Sequence, residues 1–160
     1  KLQELSLTLG ADVPFCLETG CRLARGIGEK LTPAPHLPPC GILVIKPQYS
    51  ISTKSLFQKM GAGPLQQRPD TQAMLRALEE GDLEKIGANL RNVMEPVACA
   101  LHPQEQELRE KLLAEKALGA RMTGSGSALY GLFENTQQAE KAAEAFRKLP
   151  VETFVCTPVF

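Results

Sequence analysis

Two spacings of hydrophobic residues alternate along this chain, and each predicts its own kind of element. Apolar residues that recur every three or four positions predict helices, whereas short apolar or alternating runs bounded by Gly and Pro predict strands. Helical spacing covers residues 2–9, 53–60, 71–80, 82–94, 103–117 and 136–149. Strand patterns cover a hairpin at 21–33, a strand at 41–46, a second hairpin at 120–133 and a strand at 151–159.

The ends of the predicted helices carry recognisable signals. Gly10 follows the first helix and suits the left-handed position just past a helix end. Helix N-caps are expected at Asp70, Asp82 and Asn135, because their side chains can accept hydrogen bonds from the first turn. Pro96 is expected to bend or end the 82–94 helix, because proline removes a helical hydrogen bond.

A solvated face is expected on the same helix. Asn89, Asn92 and Glu95 recur every three residues away from the apolar row. Polar side chains at such positions most simply face water.

The prolines between residues 33 and 39 mark the clearest boundary in the chain, because proline cannot donate to a sheet ladder. We therefore expect one segment at 1–39 and a domain at 40–160. In that domain, once the inserted helices are set aside, the element order is β-α-β-β-α-β. This order predicts an α+β, ferredoxin-like fold, which by itself assigns no function.

The second hairpin has an unusual centre, Gly124-Ser125-Gly126. Residues this small allow positive φ and let backbone N–H groups approach an anion such as a phosphate. A tight turn that needs its glycines only for bending explains the loop equally well. Neither a P-loop nor the dinucleotide fingerprint is present, since Leu129 stands where that fingerprint needs Gly or Ala.

Asp12 lies on a short, stiff connection, because Pro14 restricts Val13 to extended conformations. A carboxylate held beside apolar residues is a candidate general base or a group placed near a phosphate. The local sequence alone favours a simpler interpretation, in which the Asp12 side chain caps the following turn.

Ser52 and Thr53 follow the 41–46 strand and begin a helix. Their hydroxyl groups, together with the free N–H groups of a helix start, would suit an anion. As capping residues alone they would be equally well satisfied.

The composition restricts the function classes. The chain has 160 residues, and its 18 basic and 18 acidic side chains cancel, so a broad attraction to nucleic acid or an anionic membrane is not implied. RNA binding is further disfavoured because the predicted strands lack paired exposed aromatic residues. The scattered cysteines are typical of reduced, mostly buried thiols in a cytoplasmic protein, and we expect no metal site.

The chain opens at Lys1 rather than Met, and its first leucines read as if they begin mid-helix. We therefore expect a fragment of a longer protein. His36 and His102 each lie beside a proline in loop-like sequence, which leaves little material for a histidine-based triad.

Several stretches together carry a family likeness. They are Leu9-Gly-Ala-Asp-Val-Pro-Phe15, Ala24-Arg-Gly-Ile-Gly-Glu29 with Leu31-Thr-Pro33, Lys46-Pro47 with Ser50-Ile-Ser-Thr53, Asn92-Val-Met-Glu-Pro96 and Ala120-Arg-Met-Thr-Gly-Ser-Gly-Ser-Ala128. In this order and spacing the chain resembles the C-terminal portion of the GHMP small-molecule kinases. The first two stretches resemble the branch that phosphorylates 4-diphosphocytidyl-2-C-methyl-D-erythritol, and the last marks the whole superfamily.

The resemblance implies an activity and its residues. Such kinases transfer the γ-phosphoryl group of ATP, with Mg²⁺, and this branch acts on the 2-hydroxyl of its substrate in non-mevalonate isoprenoid synthesis. By resemblance Asp12 is the catalytic aspartate, and Thr53 and, less securely, Ser52 lie near the substrate diphosphate. Thr123, Gly124, Ser125 and Gly126 are expected to line the substrate cleft and support the phosphate-binding loop.

The resemblance also implies what the chain does not contain. Residues 1–39 would be the tail of an N-terminal ATP-binding domain, whose ATP loop and catalytic lysine precede Lys1. We therefore expect the chain alone to be inactive, to hold neither ATP nor Mg²⁺ tightly, and to be able to dimerise through its N-terminal segment. Its ATP-binding residues stay unknown.

Two alternatives remain open at this stage. The chain could be a non-catalytic ferredoxin-like module that binds a small anionic effector at the glycine-rich turn. It could also be another GHMP kinase, such as one that acts on homoserine or mevalonate.

Overall fold

The structure, a computed structural model, describes residues 2–61 and 68–159. Contacts divide these residues into a first unit that runs through Leu37 and includes Val159, and a second unit at Pro38–Pro158. The assignment of residues 1–39 to the tail of a kinase N-terminal domain stays a prediction.

The first unit contains a helix and a small hairpin. Its elements are α1 (Leu2–Leu9), a 3-10 helix (Val13–Leu17), β1 (Arg22–Arg25) and β2 (Lys30–Pro33), with the two strands antiparallel. The expected left-handed conformation at Gly10 is wrong. Gly10 instead donates to the carbonyl of Ser6, and its own carbonyl accepts from Val13 N–H, so the helix leads through a turn into the 3-10 helix.

The second unit is built on one antiparallel sheet. Its strands are β3 (Gly41–Pro47), β4 (Gly119–Met122), β5 (Leu129–Phe133) and β6 (Val151–Cys156), in the spatial order β4-β5-β3-β6. Its helices are α2 (Thr53–Met60), α3 (Thr71–Glu80), α4 (Leu83–Asn89), α5 (Glu95–Leu101), α6 (Gln104–Ala114) and α7 (Thr136–Ala143), with a 3-10 helix at Glu144–Phe146. The two central strands are those that begin each half of the β-α-β-β-α-β order, so the predicted ferredoxin-like fold is confirmed.

One hydrophobic core lies between the sheet and two helices. It includes Leu43 and Ile45 from β3, Leu108 and Leu112 from α6, Ala139 and Ala142 from α7, and the rings of Phe133 and Phe146. The helix that covers the sheet before β4 is therefore α6. The helix α2, which follows β3 directly, packs on α5, and Leu56, Ala98 and Met122 form a separate small cluster there.

The structure corrects the helix pattern around Pro96. The predicted 82–94 helix ends at Asn89, and Pro96 lies in the first turn of a new helix, α5. A proline fits that position because the first N–H groups of a helix have no intrahelical acceptor. The predicted 103–117 helix ends at Ala114, and the chain then turns through Lys116 at φ 69°. The last strand ends at Cys156 rather than at residue 159.

The cysteines are less buried than expected. All five thiols are free, but only Cys40 is buried, whereas Cys16 and Cys156 are exposed. Cys156 is exposed because side chains alternate along β6, and it lies on the same exposed face as Glu152 and Phe154. Among the described residues, no helix is both long enough and apolar enough to cross a membrane.

Candidate functional site

A tight loop at residues 123–128, called the glycine loop below, joins β4 to β5. Its backbone is closed by two hydrogen bonds, from Thr123 N–H to the carbonyl of Ala128 and from Gly126 N–H to the carbonyl of Thr123, both at 2.9 Å. Gly124 has φ +55° and Gly126 has φ +82°. The positive φ angles predicted from the small residues are therefore confirmed.

Gly126 is required by space as well as by conformation. A Cβ atom built there would lie 2.6 Å from Met122 Sδ and 3.0 Å from Ile51 Cδ1. A Cβ atom at Gly124 would meet no atom within 4 Å. The two glycines thus shape the loop differently, because Gly126 packs against the β4 end and Gly124 only turns the chain.

The glycine loop presents hydrogen-bond donors. Thr123 and Gly124 are exposed, and Ser125 is half-buried. In the described part of the chain, the N–H groups of Gly124 and Ser125 find no acceptor. Successive backbone N–H groups in such a turn can hold an anion.

The start of α2 meets the glycine loop. Thr53 Oγ1 and Ser125 Oγ share a hydrogen bond of 2.7 Å. Ser52 caps the helix, because its Oγ accepts from Ser55 N–H at 3.3 Å. The N–H groups of Thr53 and Lys54, in the first turn, have no helical acceptor. The structure therefore brings together the predicted residues Ser52, Thr53 and 123–126, which are separated by about seventy positions in the sequence.

The half-buried ammonium group of Lys46 supports this arrangement, and the sequence pattern did not identify it. Lys46 Nζ donates to Ser127 Oγ at 2.8 Å and to the carbonyls of Pro47 and Tyr49 at 2.9 and 3.0 Å. Ser127, only 2% exposed, donates in turn to the Tyr49 carbonyl at 2.6 Å. The one sequence signal for this role of Lys46 is its position at the polar end of an apolar strand.

The expected solvated face at Asn92 and Glu95 is wrong. Asn92 Nδ2 donates to the carbonyls of Met122 and Gly124, at 2.8 and 2.9 Å. Glu95 is 7% exposed, and its Oε1 accepts from Met122 N–H at 2.9 Å. The expectation fails because the helix breaks after Asn89. Residues 90–94 then run beside β4, and Glu95, which begins α5, directs its carboxylate to Met122.

Charged groups stabilise this edge. Glu95 Oε2 lies 3.4 Å from Arg109 Nη1 and 3.8 Å from Arg121 Nε. Burial lowers the pKa of the Arg121 guanidinium, and the carboxylate of Glu95 partly opposes that effect. The carboxylate therefore balances two cations beside the first residues of the glycine loop.

A second buried carboxyl group lies below Tyr49. Tyr49 donates its hydroxyl to Glu105 Oε1 at 2.8 Å, and its ring stacks on His102 with centroids 4.9 Å apart. Glu105 is 1% exposed, and its Oε2 has no partner in the described structure. Burial raises the pKa of Glu105, while the Tyr49 hydrogen bond acts in the opposite direction.

Tyr49 also borders a cavity of about 630 Å³. It is bordered by residues 47–49, by one face of α6 and by the start of β6, with Leu108, Leu149 and Val151 among its apolar walls. None of the predicted site residues lines it. We therefore base the candidate site on the glycine loop and its hydrogen-bond donors rather than on this cavity.

Asp12 lies in the first unit, directly before the 3-10 helix at Val13–Leu17. It occupies the N-cap position, but its side chain makes no capping hydrogen bond, so the capping interpretation is wrong. The side chain is exposed. Gly28, at φ +121°, allows the close approach of this segment, because a Cβ atom there would lie 2.9 Å from the Ala11 carbonyl oxygen and 3.8 Å from Asp12 Oδ1.

Among the described residues, no group of three or more His, Cys, Asp or Glu side chains is placed so that it could hold a metal ion. The donors of the glycine loop and of α2 can instead bind the oxygens of an anion. Asp12 offers an acidic side chain that can accept a proton.

A family model described as "GHMP kinases C terminal" matches residues 74–151, which include the Asn92 segment and the glycine loop. The chain contains a GHMP kinase C-terminal domain. The matched range includes β4, β5 and the glycine loop, whereas β3 and nearly all of β6 lie outside it.

Relatives and solved structures agree with this assignment. The chain is 39% identical over 157 residues to 4-diphosphocytidyl-2-C-methyl-D-erythritol kinase of Caldicellulosiruptor saccharolyticus. The matched region is 98% of this chain and 54% of that protein. A crystal structure of 4-(cytidine 5'-diphospho)-2C-methyl-D-erythritol kinase matches with a TM-score of 0.80 and 35% identity, over 98% of this chain and 56% of that one. Homoserine kinase from Cytophaga hutchinsonii matches at 21% identity, with a TM-score of 0.68 over 92% of this chain and 50% of that one, and supports the fold alone.

The chain spans about half the length of the curated relatives it matches. The match to the first relative nevertheless extends over almost the whole chain, beyond the range of the GHMP domain model. The segments that carry Asp12, Ser52 and Thr53 lie outside that model range.

Proposed function

We propose that this chain is the C-terminal half of a GHMP kinase that transfers the γ-phosphoryl group of ATP to the 2-hydroxyl of 4-diphosphocytidyl-2-C-methyl-D-erythritol. The observation that carries the proposal is the meeting of the glycine loop with the start of α2 through the Thr53–Ser125 hydrogen bond. The backbone N–H groups and hydroxyl groups found there can donate hydrogen bonds to the oxygens of a diphosphate. Relatives at up to 39% identity carry this substrate in their names.

The glycine loop and α2 would hold the substrate diphosphate. Thr53 and Ser125 each offer a hydroxyl group, and Gly124 and Ser125 offer N–H groups with no acceptor in the described structure. Thr123 is exposed beside them, whereas Gly126 supplies the turn. Ser52 would contribute less directly, because its hydroxyl already caps the helix.

Asp12 would act on the nucleophile. Phosphoryl transfer needs the attacking hydroxyl to be aimed and its proton to be accepted as the bond to phosphorus forms. The exposed carboxylate of Asp12 makes no capping bond, and buried Pro14 fixes the segment that carries it. Asp12 would accept the proton of the 2-hydroxyl or orient that hydroxyl for in-line attack.

ATP and Mg²⁺ would complete the reaction. When bound, Mg²⁺ neutralises the charge that develops on the phosphate oxygens. We assign no residue of this chain to ATP, and the parts of the kinase that hold it would belong to the portion of the relatives that this chain does not match. A cytoplasmic location and a dimer through the N-terminal segment stay predictions.

The proposal is tested with a hybrid enzyme. The chain would be joined to the part of the Caldicellulosiruptor saccharolyticus relative that it does not match, and ATP-dependent phosphorylation would be measured. We expect turnover with 4-diphosphocytidyl-2-C-methyl-D-erythritol and none above background with homoserine or mevalonate. The 160-residue chain alone is the control, and we expect it to be inactive.

The substrates decide between the alternatives. Turnover of homoserine or mevalonate instead would identify a different GHMP kinase and contradict the proposed substrate. Binding of the diphosphate substrate by a folded hybrid without any turnover would favour the effector-binding module.

A further inference from the structure

Residues 90–94, which precede α5, bind the end of β4 and the first residues of the glycine loop through the side chain of Asn92. Asn92 donates both of its side-chain N–H groups, to the Met122 carbonyl at 2.8 Å and the Gly124 carbonyl at 2.9 Å. Its Oδ1 accepts from Met94 N–H at 2.9 Å. The amide thus uses both donors and its acceptor, and its own position is fixed by the backbone of the segment that carries it.

The two carbonyls that Asn92 holds lie on either side of Thr123. The bonds inside the loop use Thr123 N–H, the Thr123 carbonyl, Gly126 N–H and the Ala128 carbonyl. They leave the carbonyls of Met122 and Gly124 to Asn92. Without its amide, the turn at Gly124, which has φ +55°, would be closed only by the bonds at Thr123 and Gly126.

Glu95 also binds the backbone of Met122, through its N–H group rather than its carbonyl. It accepts from Met122 N–H, so the segment 92–95 binds both the N–H and the carbonyl of Met122. Edge strands expose such groups to water or to unwanted pairing. Here a neighbouring segment occupies them, and the end of β4 is fixed in place.

We propose that Asn92 is a positioning residue, whose side-chain amide holds the glycine loop in the conformation that presents its N–H groups to the ligand. The identity of that ligand rests on the proposed function, whereas the hydrogen bonds of Asn92 are independent of it. Asn92 need not touch the ligand, because it acts through the Met122 and Gly124 carbonyls.

The experiment compares three variants of the 160-residue chain. Asn92→Ala removes the whole amide, and Asn92→Asp keeps its shape and its acceptor but loses both donors. Asn89→Ala is the matched control, because Asn89 also donates to a backbone carbonyl, that of Lys85, but makes no hydrogen bond to the glycine loop in the described structure. Amide hydrogen exchange at Thr123 and Gly126 reports the loop, and exchange at Leu43 in β3 reports the core.

We expect both Asn92 variants to exchange about tenfold faster than wild type at Gly126, because two hydrogen bonds of ordinary strength are lost. Exchange at Leu43 should change much less, and Asn89→Ala should leave Gly126 unchanged. Unchanged exchange at Gly126 in both Asn92 variants would overturn the inference. Equal acceleration at Leu43, or global unfolding of both, would also overturn it, because Asn92 would then support the fold rather than the loop.

A titration with 4-diphosphocytidyl-2-C-methyl-D-erythritol, followed at the Gly124 and Gly126 amide signals, adds a readout that lost stability alone would not move. We expect the Kd to rise about tenfold in both Asn92 variants with full occupancy still reached, since the loop is misplaced rather than absent. An unchanged Kd beside a reduced bound fraction would contradict positioning. If neither the wild-type chain nor the wild-type hybrid enzyme responds, the proposed substrate is wrong, while the exchange data still decide the role of Asn92.

Discussion

Single residues carry the parts of this site that a local pattern does not reveal. The carboxyl group of Glu105 is almost completely buried. One of its oxygens accepts a hydrogen bond from the hydroxyl of Tyr49, and the other has no partner in the described structure. Tyr49 also offers its carbonyl to Lys46 and Ser127 under the glycine loop. A change at Glu105 is therefore expected to affect the stability of the domain more than its chemistry.

Glu105→Gln should change how stability depends on pH. Burial raises the pKa of Glu105 above its ordinary value of 4.5, so the folded state holds the proton more tightly than the unfolded chain does. By linkage, wild type loses free energy of unfolding as the pH rises from about 4.5 towards the raised pKa. The variant lacks this titration. Urea unfolding between about pH 4.5 and 7 should show wild type falling relative to Glu105→Gln, and a constant difference would contradict the argument.

The two loop glycines form a matched pair. Gly126→Ala should destabilise by about 2–3 kcal/mol, because the new Cβ atom meets Met122 Sδ at 2.6 Å and the backbone keeps a positive φ. Gly124→Ala, where space is open, should cost only about 1 kcal/mol for its φ. Urea unfolding measures both. Equal losses would show that the Met122 contact does not define the loop.

At the scale of elements, the beginning of α2 connects stability with binding. Ser52 holds the helix by accepting from Ser55 N–H, while Thr53 bonds to Ser125 in the glycine loop. Adjacent hydroxyls thus have different tasks. One fixes the helix end, and the other joins that end to the loop.

Ser52→Ala should lower the free energy of unfolding by about 1 kcal/mol, the usual cost of a lost N-cap. Ser55→Ala is the control on the same helix turn, because Ser55 takes part in the cap through its backbone N–H. Chemical unfolding of the two variants should differ by roughly that amount. A loss of equal size in Ser55→Ala would mean that the cap is not the cause.

Local chemistry made many elements predictable. The caps at Asp70, Asp82 and Asn135 form as expected, each accepting from the N–H three residues later. The ferredoxin-like fold followed from the order of elements, and the positive φ angles followed from the loop glycines. All of these depend on neighbours within a few residues or on the order of elements along the chain.

The supports of the site could not be predicted in this way, because their partners are distant in sequence. Lys46 and Ser127 are 81 positions apart, and Asn92 and Gly124 are 32 apart. A helical pattern assigned Asn92 and Glu95 to solvent, and only the break after Asn89 turns them towards β4. The prediction for Pro96 was wrong for the same reason, since Pro96 begins a helix instead of ending one.

At the scale of the whole molecule, two units carry the residues of the proposed reaction. The second unit holds the glycine loop and the start of α2, and the first unit holds Asp12. The relatives that share both are about twice as long as this chain. Catalysis is therefore best tested in the hybrid enzyme rather than in the chain alone.

The most direct measurement is steady-state phosphorylation of 4-diphosphocytidyl-2-C-methyl-D-erythritol by the hybrid enzyme, with and without the substitution Asp12→Asn. We predict that the substitution lowers kcat by about 10²- to 10⁴-fold, the usual contribution of a positioned base, while the affinity for the substrate stays nearly unchanged. A normal kcat with a greatly raised KM would contradict the account, because Asp12 would then bind substrate instead of activating its hydroxyl.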